Sequence, residues 1–286
     1  MNIVKLEKAR VMRIIKAALK EDIPFKDVTT DLVVSKTKSI RAIIVCNDEA
    51  CMCGINIAEW VFNSVDYSVR FKPQVVDGDD IHPGQEIALV EGNARSILKA
   101  ERTVLNFISV LTGIASETKK YVDPVKGFGV KVLDTRKTFP LLRYLEKYAV
   151  SVGGGFNHRM NLSEMVMIKD NHLKVMDQKM DLNALRGELP KDVKKIEVEV
   201  DNLTEFKTVL RKKPDIILLD NMSTEDIRKA VELRAGYPPG KKILLEASGG
   251  ITFDNIKDYA RTGVDCISIG ALTDSVAGAD FSLNIV

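Results

Sequence analysis

Residues 134–173 read DTRKTFPLLRYLEKYAVSVGGGFNHRMNLSEMVMIKDNHL, and the prediction of fold and function starts from this stretch. Short apolar runs precede Arg136 and Lys169, as strands of a parallel α/β fold do when they deliver side chains to its mouth. Cations that meet there suit a polyanionic ligand, because guanidinium groups pair with carboxylate or phosphate oxygens. A single surface cation is ordinary. Several at strand ends, beside the glycine run 153–155, predict an anion site.

Composition limits the class of protein. With 286 residues, 45% hydrophobic and 29% charged, the chain suits a globular protein of about two domains, or one large α/β barrel with an appendage. A net charge of +2 gives no case for nucleic acid or membrane as a partner. The first residues lack the apolar core of a signal peptide, so we expect a cytoplasmic protein. Cys46, Cys51, Cys53 and Cys266 lack zinc-like spacing, which predicts buried thiols and no structural metal.

The first hundred residues mix helical and antiparallel strand patterns. We predict a helix over 3–20, a polar loop at Asp27–Asp31, a strand at Ile40–Cys46 and a helix at Ile55–Val65. A long helix follows over Ala94–Val122. Its row of Arg102, Asn106 and Ser109 is either solvated or faces a second subunit. After this helix the sequence pattern changes to strands that alternate with helices. The change predicts one domain at 1–112 and a second at 113–273, with the tail 274–286 packing back on the first.

Strands alternate with helices after Val130, which is the sign of a parallel sheet or barrel. Six strands are predicted, and a seventh could lie between Gly113 and Gly129, which favours a short or open α/β barrel. The six are Val130–Leu133, Met165–Ile168, Lys195–Val200, Asp215–Leu219, Ile243–Ala247 and Cys266–Ile269.

Carboxylates and glycines occupy the ends of these strands. Strict alternation places Glu197, Glu199 and Asp201 on one side of their strand, where a buried carboxylate needs a partner such as a lysine or a ligand-borne Mg²⁺. A structural ion pair is a full alternative for Glu197. The turns at 248–250 and at Gly270 are of the type that binds phosphate through backbone N–H groups.

The chain resembles the quinolinate phosphoribosyltransferase family nearly end to end. The resemblance rests on Glu101–Thr103 with Leu105–Phe107, Asp134–Thr138, Gly153–Gly155 with Asn157–Met160, Ile168–His172, Glu197–Glu199, Leu219–Asn221, Ser248–Ile251 and Ser268–Gly270. It implies an N-terminal α/β sandwich domain and an open, seven-stranded α/β barrel of the type II phosphoribosyltransferase kind. It also implies a homodimer, which could assemble further to a hexamer, with each active site shared between two subunits.

The resemblance also implies an activity and a set of residues. The reaction joins quinolinate to phosphoribosyl pyrophosphate with Mg²⁺ and releases pyrophosphate and CO₂, leaving nicotinate mononucleotide for NAD synthesis. The implied ligands of quinolinate are Arg102 from the partner subunit, Arg136, His158, Arg159 and Lys169. The implied ligands of phosphoribosyl pyrophosphate are Thr135, Lys137, Lys169, Glu199, Asp220, Ser248, Gly249, Gly250, Ser268 and Gly270. Lys137, Glu199 and Asp220 are the implied catalytic residues, and the two carboxylates would hold Mg²⁺ through the substrate.

Three positions depart from the family pattern, and two other functions remain open at this stage. Leu141 and Asn161 stand where the family usually has glycine, as does Lys26. A molybdenum-linked paralogue shares the DTRKTFP stretch. A Schiff-base aldolase would use Lys137 or Lys169 at a strand end, and borohydride trapping would reveal it. A non-catalytic binder of phosphorylated metabolites would keep the cations but would have no use for Glu199 and Asp220.

Overall fold

The computed structural model describes residues 4–176, 181–237 and 243–286. The helices are α1 Lys8–Asp22, α2 Val28–Val33, α3 Ile55–Val65, α4 Ala94–Val122, α5 Arg143–Val152, α6 Asp170–Val175, α7 Leu182–Glu188, α8 Leu203–Lys212, α9 Thr224–Ala235, α10 Ile256–Ala260 and α11 Ala271–Asp274. Of these helices, none combines the length and the apolar character that a membrane crossing requires.

Strands form one antiparallel and one parallel sheet, with a short antiparallel pair between β2 and β4. They are β1 Ser39–Cys46, β2 Ala50–Cys51, β3 Arg70–Pro73, β4 Asp80–Ile81, β5 Glu86–Asn93, β6 Lys131–Leu133, β7 Val166–Ile168, β8 Ile196–Val200, β9 Ile216–Asp220, β10 Leu244–Ser248, β11 Cys266–Ser268 and β12 Phe281–Ile285.

The chain divides into two compact units, which are Met1–Lys119, Thr138–Gly154 and Ala271–Val286, and Lys120–Lys137 with Gly155–Gly270. The first unit holds the antiparallel sheet in the order β12-β1-β5-β3. Strand β12, from the end of the chain, pairs with β1 so that Ala42 faces Ile285. This division differs in detail from the boundary near residue 112, which stays a prediction.

Helix α4 has the bounds that the sequence predicts, because its apolar side chains recur on one stripe and are buried there. The polar loop predicted at Asp27–Asp31 is wrong. Helix α2 begins at Val28, since the Asp27 side chain caps it by accepting a hydrogen bond from the Thr30 N–H at 2.9 Å. Burial is not the reason for this helix, because Leu32 is 80% exposed. The short helix is therefore defined by its N-cap residue rather than by an apolar stripe.

The second unit is built on a parallel sheet in the order β6-β11-β10-β9-β8-β7. All six predicted strands are present, each within two residues of its predicted ends. The suggestion of a seventh strand between Gly113 and Gly129 is wrong, because α4 and a 3₁₀ turn at Asp123–Val125 occupy most of that segment. Among the described residues, an isolated parallel bridge joins Leu133 of β6 to Phe156. Phe156 is thus a one-residue addition to the edge at β6.

The strand order fixes which side chains meet, since parallel strands all end at the same edge of their sheet. Along this edge, residues 134–137 follow β6, Gly270 follows β11, the glycine turn follows β10, Asn221 follows β9 and Lys169 follows β7. Register places Ser248 beside both Ser268 and Asp220. Almost all of the predicted substrate-binding and catalytic residues therefore lie along one edge of the parallel sheet, in the second unit.

Candidate active site

Two guanidinium groups lie close together at this edge. Burial lowers the pKa of Arg159, and the charge of Arg136 lowers it further, while Glu197 acts in the opposite direction. The Arg159 guanidinium donates a hydrogen bond to the Met165 carbonyl at 3.1 Å, which fixes its direction. Both arginines are half-buried. Two like charges in a partly dry site repel each other, and a bound anion would offset that repulsion.

A lysine and a carboxylate from neighbouring strands form an ion pair beside the arginines. Lys169, directly after β7, donates from Nζ to Oε2 of Glu199 on β8. The Glu199 side chain is 10% exposed, whereas the Lys169 side chain is 41% exposed. The carboxylate thus has a built-in cation partner, and the lysine keeps a solvent-facing side for a ligand.

A buried cluster of one histidine and two carboxylates lies below the edge. The Nε2 atom of His158 lies 3.1 Å from Oε2 of Glu197 and 3.5 Å from Oε1 of Glu246. Burial raises the pKa of Glu246 to about 7, with a further rise from the charge of Glu197; His158, a hydrogen bond from Ser268 and Lys169 lower it. Of the lysines predicted to pair with this carboxylate row, Lys169 pairs with Glu199, whereas the neighbour of Glu197 is His158, as in the alternative of a structural ion pair.

The segment that carries His158 and Arg159 is fixed by a carboxylate at the end of β6. Asp134 is fully buried and accepts hydrogen bonds from the His158 N–H at 2.8 Å and from the Asn157 side chain at 2.6 Å. The Arg159 N–H in turn donates to Nδ1 of His158 at 2.7 Å. The sequence alone predicted no role for Asp134, Asn157 or Glu246. The sequence does contain a sign of a buried acid at Glu246, because this residue lies inside the apolar run Leu244–Ala247.

The glycine turn after β10 has a shape that only glycine allows. Gly249 has φ +87°, and a Cβ placed on it would lie 2.2 Å from the side-chain oxygen of Asn221. Asn221, itself at φ 52°, donates its N–H to the Ser248 carbonyl at 2.8 Å and its amide to Asp220 at 2.8 Å. The turn therefore presents backbone to its surroundings, as a phosphate site requires.

The remaining predicted residues differ in exposure. Lys137 is exposed, and its N–H donates to Oγ1 of Thr135 at 3.0 Å. Arg102 belongs to the other compact unit, where it lies exposed on α4, as does Asn106. Ser109 differs from these two, because it packs against Gly278 so closely that a Cβ added to this glycine would lie 2.5 Å from the serine hydroxyl.

Two sets of side chains offer metal ligands. Within the described ranges, His158, Glu197 and Glu246 form the group of three whose ligand atoms all lie within 4.8 Å of one another. Glu199 and Asp220, at the ends of neighbouring strands, offer carboxylate oxygens alone. Burial raises the pKa of nearby Asp201, and the charges of Glu205 and Asp220 raise it further. Oxygen ligands with room for water and phosphate suit Mg²⁺.

Comparison with known proteins agrees with this geometry. Residues 27–112 match the family model for the quinolinate phosphoribosyl transferase N-terminal domain, and residues 114–284 match the model for its C-terminal domain. A probable nicotinate-nucleotide pyrophosphorylase (carboxylating) from Methanocaldococcus jannaschii is 39% identical over 279 residues, covering 96% of this chain and 97% of the relative. The nicotinate-nucleotide pyrophosphorylase (carboxylating) from Mycobacterium leprae is 39% identical over 277 residues, covering 95% of each.

Solved structures agree over the same length. The nicotinate-nucleotide pyrophosphorylase from Francisella tularensis superposes with a TM-score of 0.91 at 37% identity, covering 100% of this chain and 99% of the other. The protein of that name from Ehrlichia chaffeensis gives 0.90 at 38% identity, covering 99% and 100%. The chain therefore belongs to the quinolinate phosphoribosyltransferase family.

Proposed function

We propose that Arg136, Arg159 and Lys169, with His158 beside them, bind the two carboxylates of quinolinate at the edge of the parallel sheet. The chain is a quinolinate phosphoribosyltransferase, and its decarboxylating reaction makes nicotinate mononucleotide in NAD biosynthesis. Family membership favours this transfer over a Schiff-base aldolase and over a non-catalytic binding protein. The roles of individual residues are our assignment.

The observation that carries the assignment is the convergence of Arg136, Arg159 and Lys169 at one edge of the parallel sheet, where the charge of Arg136 acts on Arg159. Like charges in a partly buried place repel each other, and a bound dianion offsets that repulsion. At an effective dielectric constant near 20, each cation–carboxylate pair at about 4 Å is worth up to roughly 4 kcal/mol before desolvation costs. Several such pairs are needed to remove water from a dianion, which explains the number of cations.

The second substrate, phosphoribosyl pyrophosphate, suits the neighbouring strand ends. We assign the 5′-phosphate to the turn Ser248–Gly250 together with Ser268 and Gly270, because backbone N–H groups bind phosphate there. Glu199 and Asp220 hold the ribose hydroxyls, and Thr135 adds a hydroxyl beside Lys137. The pyrophosphate then points toward the exposed Lys137.

The reaction needs charge stabilisation rather than a protein nucleophile. Departure of pyrophosphate leaves a cationic ribose carbon, as in glycosyl transfer in general. Lys137 neutralises the leaving group, while Glu199 and Asp220 stabilise the cation across the ring. The pyridine nitrogen of quinolinate forms the new bond to ribose and becomes positively charged. That charge stabilises the carbanion formed when the adjacent carboxylate leaves as CO₂, and the carbanion then takes a proton from solvent to give nicotinate mononucleotide.

Mg²⁺ fits this donor set. Glu199 and Asp220 supply oxygen atoms alone, and Mg²⁺ is usually held by one or two carboxylates together with substrate phosphates and water. When bound, the ion would neutralise charge on the pyrophosphate group.

We also propose that the protein is a dimer, in which Arg102 of each subunit completes the partner's quinolinate site. A groove of about 770 Å³ in the first unit is lined by α1, α4 and residues 140–146, and it includes Asn106 and Val110. Leu141 on its rim is 90% exposed. An apolar groove next to the exposed Arg102 suits a second copy of the chain. Larger assemblies, such as a hexamer, are compatible with it.

We place the protein in the cytoplasm, on the basis of its thiols. All four cysteines are buried, and Cys46, Cys53 and Cys266 are free thiols. Burial raises the pKa of Cys266 to about 12, which keeps it a neutral thiol. Free thiols in this number are ordinary in a reducing compartment.

Calorimetric titration of quinolinate tests the binding assignment. We expect Arg159→Met to weaken binding by about 100-fold, since a lost charge pair costs about 3 kcal/mol in this environment. Arg211→Met, which removes an exposed arginine from α8, is the matched control and should leave binding unchanged. Equal affinity in the wild type and in Arg159→Met would refute the assignment.

A further inference from the structure

The buried carboxylates Glu197 and Glu246 have no part in the reaction described so far. Both lie below the site, with exposures of 0% and 1%. Within the described residues, no well-aligned hydrogen bond is donated to either oxygen of Glu197 or to Oε1 of Glu246. Two carboxylates that close to each other and that deep are expensive to bury. Both carboxylates face His158, so the free-energy cost of burying them can serve to orient its ring.

The contacts of the His158 ring indicate which nitrogen carries its hydrogen. Its Nδ1 accepts the Arg159 N–H at 2.7 Å, so Nδ1 carries a lone pair and the ring hydrogen stands on Nε2. Nε2 faces Glu197 at 3.1 Å and Glu246 at 3.5 Å. Carboxylates at this distance from one ring nitrogen attract its hydrogen, which favours one tautomer and one ring orientation.

We propose that Glu197 and Glu246 are positioning residues for quinolinate binding, which act through the His158 ring on the backbone and side chain of Arg159. The inference rests on the assignment of Arg159 to the quinolinate site, and it specifies how His158 serves that site. With the Nε2 hydrogen attracted toward the two carboxylates, Nδ1 remains an acceptor and holds the Arg159 N–H. Asp134 fixes the same segment from the other side by accepting the His158 N–H.

The guanidinium of Arg159 receives its direction from this double anchor. It is held at one end by the Met165 carbonyl at 3.1 Å and at the backbone by the His158 ring. If the ring hydrogen moved to Nδ1, that atom and the Arg159 N–H would both be donors and would repel each other. The arginine would then lose its backbone anchor while keeping its charge.

Glutamine and methionine at the two acidic positions separate this role from plain structural support. Methionine removes the acceptor while filling similar volume, and replacement of buried charges by apolar side chains is often neutral for folding or stabilising. Glutamine removes the charge but keeps an oxygen that can accept from Nε2. The comparison of Glu246→Met with Glu246→Gln, and of the same pair at Glu197, therefore isolates the acceptor.

We expect the methionine variants to bind quinolinate about tenfold more weakly, as outer-shell partners of histidine ligands do, with glutamine variants within about threefold of wild type. KM for phosphoribosyl pyrophosphate should stay unchanged in the two Glu197 variants; Glu246 also accepts a hydrogen bond from Ser268, which we assign to the 5′-phosphate, so the Glu246 variants are compared by quinolinate binding alone. Equal loss in glutamine and methionine variants, or no loss in either, would overturn the proposal.

Nitrogen-15 NMR of the histidines reads the proton position directly in the wild-type protein. The chain has three histidines, His82, His158 and His172, and His158→Gln identifies the signals of the second. In chelator-treated wild type we expect the hydrogen of His158 on Nε2. A hydrogen on Nδ1 would overturn the proposal even if quinolinate binds. Failure of the wild type to bind quinolinate would instead refute the assigned function of the site.

Discussion

Replacement of Glu146 by glutamine should change how the stability of the protein depends on pH. Glu146 on α5 is fully buried, and its Oε1 accepts the Phe139 N–H at 3.1 Å. Its other oxygen accepts no hydrogen bond from the described residues. Burial raises its pKa from 4.5 to about 7, against the lowering effects of the Phe139 hydrogen bond and the charge of Arg143.

The sign and size of the effect follow from the shift in pKa. The folded protein holds this proton up to about pH 7, whereas the unfolded chain loses it near pH 4.5. The folded state therefore binds more protons in this window, and the free energy of unfolding falls as pH rises through it. One pKa unit corresponds to about 1.4 kcal/mol, so the full penalty is about 3 kcal/mol, of which about 2.5 kcal/mol develops between pH 5 and pH 8.

Glutamine does not titrate, so the variant should lack this contribution. Urea unfolding at pH 5, 6, 7 and 8 measures the free energy of unfolding of both proteins. We expect the difference, variant minus wild type, to grow in favour of the variant by about 2.5 kcal/mol across the range. Loss of hydrogen-bond geometry would shift the variant by the same amount at every pH. Glu86→Gln, at an exposed strand position of the same unit, should show no such trend. Parallel curves for wild type and Glu146→Gln would refute the reasoning.

Three further predictions concern the backbone, the chemistry and the assembly. Leu141 has φ 69° and is 90% exposed, so its backbone is strained although its side chain packs little. Leu141→Gly should raise the free energy of unfolding, because it relieves about 1–2 kcal/mol of strain and loses only about 0.4–1 kcal/mol through the greater entropy of the unfolded chain. Urea unfolding measures this change, and equal stabilisation by Leu141→Ala would contradict it. Lys137→Ala should lower kcat at least about 100-fold and leave the quinolinate Kd unchanged, and equal loss of both would refute its role. Inactive Arg102→Ala and Lys169→Ala chains, refolded together, should regain part of the activity, and no regain in mixed dimers would contradict a shared site.

The sequence predicts the parallel strands well because their signal is local. Each strand is a short apolar run between turn residues, and a residue that can bind or react often follows it, as Lys169 follows β7. Long-range order within the sheet is a different matter. The position of β11 between β6 and β10 brings Gly270 beside the glycine turn, and nothing in the local pattern specifies that neighbour.

The parts of the site that could not be predicted depend on partners distant in the chain. Asp134 lies 24 residues from the His158 N–H that it accepts, and Glu246 lies on a strand far from both. Glu197 shows the same limit, because its alternation predicts a buried carboxylate but cannot say whether lysine or histidine faces it. The prediction for α2 failed for the opposite reason. Its signal, the Asp27 cap, is local, but the residues after it do not form an apolar stripe and therefore resemble a loop.

The most direct test of the account is turnover with a choice of acid. Purified protein, Mg²⁺ and phosphoribosyl pyrophosphate are incubated with either quinolinate or nicotinate, and mononucleotide and CO₂ are followed. The arrangement of Arg136, Arg159 and Lys169 predicts that quinolinate alone is used, with equal amounts of mononucleotide and CO₂, and that turnover requires Mg²⁺. Equal use of nicotinate, whose single carboxylate needs fewer cations, would contradict the assignment of this site to a dianion.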